Sequence, residues 1–151
     1  MDASTFSAAL DLALDREKAA VAFYRELSGM ASFAAQKSVL AEFMAMEEGH
    51  VALVAGMKAR GAVNLSPAAA IDLGLARSLD AGEPPASTMD FQDILAAAIK
   101  KEERSGELYG RLLVATSDPA IKSIFERLVA EESRHKRYFE ELYEKDIAMD
   151  N

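Results

Sequence analysis

The sequence predicts an all-α protein, a four-helix bundle made of two helical hairpins joined by a long crossover connection. Four long stretches are rich in Ala, Leu, Glu, Met and Lys, the residues that lose least on entering a helix. Apolar residues recur in these stretches at three- and four-residue spacing, the period of a helix with one buried face. Short links join the first stretch to the second and the third to the fourth, whereas the middle link is long, as in bundles with one crossover.

The chain has the length of one domain. Of its 151 residues, 50% are hydrophobic, which is enough to build a core that folds alone. We therefore expect a single domain over residues 1–151, with a hairpin at 5–60, a crossover at 61–90 and a second hairpin at 91–148.

The first hairpin is predicted from two helical stretches of similar length. One runs from Thr5, a suitable N-cap, to Ser28, and Gly29 follows it. The other starts near Ser32 and continues until Gly61 stops it. The short link between them predicts that the two helices pack side by side.

The crossover differs from its flanks because Gly and Pro are concentrated in it. Its pair Pro84-Pro85 does not fit a long helix. Ser66 as a cap and Pro67 at the first helical position predict one short helix that continues to Leu79.

The second hairpin has clearer start signals than the first. Its first helix is predicted over 91–115, with Thr88 or Asp90 as the N-cap. Its second helix is predicted to follow Asp118, a good N-cap that precedes a proline suited to the first turn, and to extend over 119–147.

Charge and composition exclude several classes of function. The net charge of -8 argues against binding to nucleic acid or anionic lipid, both of which reward clusters of Lys and Arg. The chain has no Cys, which excludes disulfides, thiolate metal sites and catalytic thiols. The N-terminus begins with an acidic residue rather than a basic segment, and no apolar run reaches the roughly 20 residues of a membrane span. We therefore expect a soluble cytoplasmic protein.

An internal repeat relates the two hairpins. Each of the two histidines of the chain follows a glutamate by three positions, in EEGH and in ESRH, and the two pairs are 85 residues apart. The same offset superposes further residues, so the first helix of each half has Glu followed seven residues later by Tyr. The superposed pairs are Glu17 with Glu102, Tyr24 with Tyr109, Glu47 with Glu132, and His50 with His135.

The repeated spacings predict a metal site inside the bundle. Residues three apart on a helix share a face, so the Glu and His of each pair can reach a common metal. Two such hairpins would bring four carboxylates and two imidazoles together, the ligand set of a dinuclear carboxylate site. Four buried carboxylates without cations would be very costly, whereas two divalent ions cancel their charge. Oxygen and nitrogen ligands without sulfur suit iron, manganese or zinc.

Residues beside these positions have other interpretations. Glu48, Glu103 and Glu131 lie about 100 degrees round the helix from the proposed ligands and are predicted to be solvated or supporting charges rather than ligands. Tyr24 and Tyr109 are either ordinary core tyrosines or hydrogen-bond donors to a ligating carboxylate, and both alternatives stay open. Phe43, Met46 and their inward neighbours are interpreted as core packing.

With this pattern the chain resembles the ferritin-like superfamily, and in particular its rubrerythrin-related branch. The resemblance covers nearly the whole chain and places family diiron ligands and neighbouring tyrosines at Glu17, Tyr24, Glu47, His50, Glu102, Tyr109, Glu132 and His135. It implies that Glu47 and Glu132 bridge two irons. It also implies that Glu17 and Glu102 are terminal ligands and that each histidine binds one iron.

Two features depart from rubrerythrins proper. They often have a further Glu three residues after the ligand of the third helix, and that position is Ser105 here. They also commonly carry a rubredoxin domain whose cysteines hold an electron-delivering iron, and this sequence has no Cys. A reductive cycle would therefore need a separate electron donor.

The resemblance implies a non-haem diiron oxidoreductase that reacts with hydrogen peroxide or oxygen, and it also implies a homodimer. One alternative is an iron-binding or ferroxidase protein that serves iron storage or delivery. Another is a non-catalytic bundle that metal stabilises.

Overall fold

The computed structural model describes residues 3–60 and 90–150, and these contain four α-helices. Helix α1 spans Ala3–Ser28, α2 spans Lys37–Arg60, α3 spans Phe91–Ala115 and α4 spans Pro119–Asp150. The predicted all-α four-helix bundle is confirmed. Except for Asp90, the predicted crossover and its short helix lie outside the described residues, so they stay predictions.

The starts of α3 and α4 follow the predicted capping residues. Asp90 Oδ1 accepts a hydrogen bond from the Asp93 amide at 2.8 Å. Asp118 Oδ1 accepts from the amides of Ala120 and Ile121 at 2.9 and 3.5 Å. Each carboxylate therefore satisfies an N–H group that has no partner within its own helix. Of the two predicted caps of α3, Asp90 fills the role, and the alternative lies outside the described residues.

The first hairpin differs from its prediction at two points. Helix α1 begins two residues before the predicted N-cap Thr5. The stretch near Ser32 forms a 3-10 helix, Ala31–Gln36, in which Phe33 has φ −108° and ψ 16°, and α2 begins only at Lys37. This irregular turn buries Phe33 completely and sets its ring 4.7 Å from the ring of Phe91. Packing across the bundle therefore outweighs the helical preference of this stretch.

Apolar side chains fill the bundle in two clusters, one toward each end. One cluster joins the starts of α1 and α4 to the ends of α2 and α3, with Phe6, Leu10, Val54, Met57, Leu112 and Phe125 among its members. The other joins the ends of α1 and α4 to the starts of α2 and α3, with Phe23, Leu27, Leu40, Phe43, Leu95 and Phe139 among its members. The two helices of each hairpin are therefore antiparallel. Each fully buried side chain of this size contributes about 1.5–3 kcal/mol to folding.

The outer faces of the helices carry ion pairs between hairpins and within them. Arg134 Nη2 lies 3.1 Å from Glu42 Oε1, and Lys136 Nζ lies 3.3 Å from Glu103 Oε2. Exposed pairs of this kind contribute at most about 1 kcal/mol each, so the apolar clusters dominate the stability. None of the helices in the two described ranges has both the length and the apolar character that a bilayer span requires.

Candidate metal centre

A layer of ionisable side chains lies between the two apolar clusters. It contains all six predicted ligands, each at most 3% exposed: Glu17, Glu47, His50, Glu102, Glu132 and His135. Helices α1 and α3 contribute one glutamate each, and α2 and α4 contribute one Glu-x-x-His pair each. Because residues three apart share a helix face, each pair points into the same layer. The structure therefore brings together residues that are spread over both hairpins.

The layer consists of two overlapping groups of possible ligands. In each group, one nitrogen or oxygen atom from every residue lies within 4.8 Å of the others. One group contains Glu17, Glu47, His50 and Glu132, and the other contains Glu47, Glu102, Glu132 and His135. Only the glutamates of the Glu-x-x-His pairs belong to both groups. A carboxylate has two oxygens, so each shared glutamate can hold one ion with each oxygen.

In the first group the carboxylates converge on one ring nitrogen. His50 Nδ1 lies 3.2 Å from Glu17 Oε2, 3.3 Å from Glu47 Oε2 and 3.0 Å from Glu132 Oε1. These oxygens come from three different helices. The imidazole therefore presents Nδ1, rather than Nε2, to the three carboxylates of this group.

In the second group, the histidine also turns Nδ1 toward the carboxylates. The unsatisfied oxygens of the layer show whether its side chains fit metal ions. His135 Nδ1 lies 3.0 Å from Glu47 Oε1 and 3.6 Å from Glu102 Oε2. Three buried oxygens of the layer, Glu47 Oε2, Glu102 Oε2 and Glu132 Oε1, accept no hydrogen bond, although each lies within 3.6 Å of a histidine nitrogen. An unsatisfied buried carboxylate oxygen is costly. Cations would satisfy these oxygens, so the side chains fit a pair of metal ions.

The carboxyl groups of the layer hold protons strongly when no cation neutralises them. Burial, helped by the neighbouring Glu47 and opposed by His50, raises the pKa of Glu17 to about 8. Burial likewise raises the pKa of Glu102 to about 8, and it raises the pKa of Glu132 well above its usual range. Low dielectric disfavours the charged form, and closely spaced carboxylates repel each other. Two divalent ions would reverse this balance by cancelling four negative charges.

The pKa of His50 is raised, whereas burial alone lowers the pKa of a histidine. Burial by itself lowers the pKa of His50, but close contacts with Glu132, Glu17 and Glu47 outweigh it and raise the pKa above its ordinary value. The carboxylates therefore stabilise positive charge at this position, whether that charge is a proton or a metal ion.

The two tyrosines bond across the bundle. The Tyr24 hydroxyl donates to Glu102 Oε1, and the Tyr109 hydroxyl donates to Glu17 Oε1. Each tyrosine therefore bonds a glutamate of the other hairpin, not the glutamate seven residues before it. Burial and the charge of Glu17 raise the pKa of Tyr109 well above 10, so its hydroxyl remains a donor. Of the two roles left open by the sequence, both tyrosines have the hydrogen-bonding one.

Two residues next to the predicted ligands contact the histidines: Glu131, for which a supporting role was one of the two predictions, and Met46, for which no such contact was predicted. Glu131, one of three glutamates predicted as solvated or supporting, contacts His50 Nε2 and is 24% exposed at its side chain. Met46, interpreted as core packing, places Sδ 3.4 Å from His135 Nε2. Both contacts join residues more than 80 positions apart, so no spacing within one helix could reveal them. Their position immediately before each Glu-x-x-His glutamate is the only signal that the repeat offers.

Aromatic rings and a small cavity surround the layer. The Phe43 ring stacks on His135 with centroids 4.0 Å apart. Beside Glu102, a cavity of about 10 Å³ is lined by Tyr24 and Ser105, among others. That volume is close to the minimum of about 10–15 Å³ needed for one water molecule. The cavity beside Glu102 is therefore at the lower size limit for one water molecule.

A model of the rubrerythrin family matches residues 93–148. This range covers most of the second hairpin and includes Glu102, Tyr109, Glu132 and His135. No curated protein and no solved structure matches the chain significantly. The ligands of the first hairpin lie outside the matched range, and the internal repeat and the structure relate them to the second.

Proposed function

From the similarity of residues 93–148 to the rubrerythrin family, we propose that the protein is a non-haem diiron oxidoreductase that reacts with hydrogen peroxide or oxygen. The observation that carries this proposal is the pair of overlapping ligand groups that share Glu47 and Glu132. Shared carboxylates bring two ions close enough to act together. Iron is proposed from the family similarity, because the ligand types alone also suit manganese and zinc.

The proposed ligand roles follow from the two glutamates that both groups contain. Glu47 and Glu132, which belong to both groups, would help to hold both ions. Glu17 and Glu102 would be terminal ligands at opposite ends of the layer. Two ferrous ions with four carboxylates and two neutral imidazoles give a site of zero net charge, which a buried layer tolerates best.

The bound irons would supply the redox chemistry, and the protein would control their surroundings. Tyr24 and Tyr109 hold the two terminal carboxylates in place through hydrogen bonds. Apolar clusters above and below the layer restrict water, and Phe43 covers one face of His135. Losing a bridging glutamate should therefore affect the reaction more than losing a tyrosine hydroxyl.

The cavity at Glu102 is too small for an organic substrate. Its volume of about 10 Å³ is near the lower limit for a single water. Hydrogen peroxide and oxygen are not much larger than water, whereas an organic substrate would need a much larger opening. Ser105, at the position where rubrerythrins proper often carry a further Glu, lines this cavity and keeps it from being filled by a longer side chain.

Electrons for a catalytic cycle would come from a separate donor. Thiolate-held iron cannot form within this sequence, since it has no Cys. A reductase protein or a small reductant would therefore return the irons to the ferrous state after each oxidation.

Rapid mixing tests the proposed activity. Metal-free protein is loaded with two equivalents of ferrous ion without oxygen and then mixed with peroxide or oxygen while ferric absorbance is followed. We expect oxidation faster than that of free ferrous ion in the same buffer, and loss of the acceleration in Glu47→Ala. Glu48→Ala is the matched control because Glu48 is exposed. A rate equal to that of free ferrous ion would refute the enzymatic proposal.

Two further measurements separate the alternatives. With excess ferrous ion, an iron-storing protein would keep the oxidised iron soluble in a large assembly visible by light scattering. A monomer or a dimer would rule out a storage cage. The same measurement would show whether the protein forms the predicted homodimer. A protein that binds metal for stability alone would gain melting temperature on loading but show no turnover when a reductant is supplied.

A further inference from the structure

The two histidines of the layer have different partners on their outer nitrogens. His50 Nε2 contacts the carboxylate of Glu131. His135 Nε2 instead lies 3.4 Å from the thioether sulfur of Met46. Met46 and Glu131 are 85 residues apart and so occupy the same position in the repeat, immediately before the shared glutamate of each helix. The two halves of the repeat therefore have the same ligands but different residues at the position that contacts the outer histidine nitrogen.

The partner of Nε2, the outer nitrogen, matters because Nδ1, the inner nitrogen, faces the carboxylates of the layer. A neutral imidazole that binds a metal through Nδ1 carries its proton on Nε2. On His50 that N–H donates to a carboxylate, which is a strong, charged acceptor. On His135 it faces a thioether, which is a weak acceptor. A carboxylate partner orients the ring and increases the electron-donating strength of the ligand nitrogen.

Nearby arginines do not cancel this difference. Arg127 Nε lies 3.4 Å from Glu131 Oε1, and Arg134 Nη2 lies 3.2 Å from Met46 Sδ. Both arginine side chains are more than half exposed, at 60% and 55%, so solvent and salt weaken their fields. Each end of the layer also has one such arginine. The direct contact with the imidazole N–H therefore still differs, being a carboxylate at one end and a thioether at the other.

We propose that Glu131 and Met46 make the two metal positions unequal, so that the position of Glu17 and His50 binds its ion first and more tightly. The position of Glu102 and His135 would then load last and release its ion more readily. This inference rests on the dinuclear site of the proposed function. The looser position is also the one beside the small cavity. The cavity therefore lies at the position proposed to be weaker, and Glu131 would be a positioning residue of the tighter one.

Titration of the metal-free protein with Co²⁺ measures the two positions separately. Visible absorbance counts the bound ions, and calorimetry gives a dissociation constant for each step. We expect two steps at least about 10-fold apart, since losing an outer partner of a ligating histidine typically weakens metal binding 10–100-fold. Glu131→Met should weaken the tighter step by that factor and bring the two steps together. Met46→Glu should tighten the weaker step.

Histidine variants assign the steps to the two ends. His50→Ala should remove the tighter step and His135→Ala the weaker one. Glu48→Met is the control for surface and helix effects, because Glu48 is exposed and adjacent to a shared ligand. If Glu131→Met does not fold, as judged by its helical circular dichroism, Glu131→Gln removes the charge while keeping the shape and should weaken the same step.

The outcomes distinguish this inference from the proposal on which it depends. Two bound ions with equal dissociation constants in the unmodified protein, or an equal weakening of both steps by Glu131→Met, would overturn the inequality and leave the dinuclear site standing. Binding of fewer than two Co²⁺ ions would overturn the dinuclear site, and the inequality with it.

Discussion

We expect the metal-free protein to become less stable as the pH rises from 5.5 to 8.5, the reverse of ordinary acid denaturation. The perturbation is removal of metal by a chelator followed by a change of pH. Glu17 and Glu102 have pKa values of about 8 in the fold, compared with 4.5 for the free side chain. A carboxyl group with a raised folded pKa stabilises the fold below the unfolded pKa. That stabilisation is lost as the pH rises through the folded pKa.

The size of this effect is comparable to the whole stability of a domain. At about 1.4 kcal/mol per pH unit, each of the two carboxyl groups weakens folding by at most about 3.5 kcal/mol between pH 5.5 and pH 8. Domains of this kind unfold at a total cost of about 5–15 kcal/mol. His50 acts in the same direction, because its pKa is also raised and its contribution is lost as the pH rises. Without metal, the layer of ionisable side chains therefore strongly destabilises the fold at neutral and alkaline pH.

Thermal melting followed by circular dichroism measures this dependence. A loss of about 3.5 kcal/mol, the largest expected from one of the two groups, lowers the melting temperature of a domain this size by roughly 7–14 °C. Metal-bound protein should show the opposite slope, because its ligands must be deprotonated and protons compete with the ions. The double variant Glu17→Gln with Glu102→Gln should reduce the pH dependence of the metal-free protein, and Glu132 and His50 should account for the part that remains. A melting temperature of the metal-free protein that stays constant or rises from pH 5.5 to 8.5 would refute the reasoning.

Three substitutions test other parts of the structure. Glu47→Ala should abolish binding of both ions, whereas the exposed Glu48→Ala should leave metal stoichiometry unchanged in a Co²⁺ titration. Tyr24→Phe should weaken metal binding by about 1.5–3 kcal/mol, the contribution of a hydrogen bond to a charged group. The control Tyr138→Phe should leave metal binding unchanged. Equal effects of the two variants would argue against a role of the Tyr24 hydrogen bond in metal binding. Asp118→Ala should lower the free energy of unfolding by about 1 kcal/mol in a urea titration through loss of an N-cap, and a change below about 0.3 kcal/mol would show that the cap is dispensable.

Much of the fold could be predicted because helical periodicity and capping are local properties. The predicted limits of α3, and the starts of α3 and α4 at Asp90 and Asp118, agree with the structure. The start of α2 could not be predicted in the same way. There the preference for helix yields to the burial of Phe33 against Phe91, a contact between residues distant in sequence.

By itself, the sequence determined that the chain is helical and which six residues can share a metal site. It could do so because residues three apart on a helix point to the same side. A Glu-x-x-His pair that recurs after 85 residues therefore predicts two equivalent sets of ligands. Only the tertiary structure decided which groups meet across helices. It bonds Tyr24 to Glu102 rather than to Glu17, and it places Glu131 against His50. Such contacts depend on how helices cross and rotate against one another, which the packing of the whole core fixes and no local spacing records.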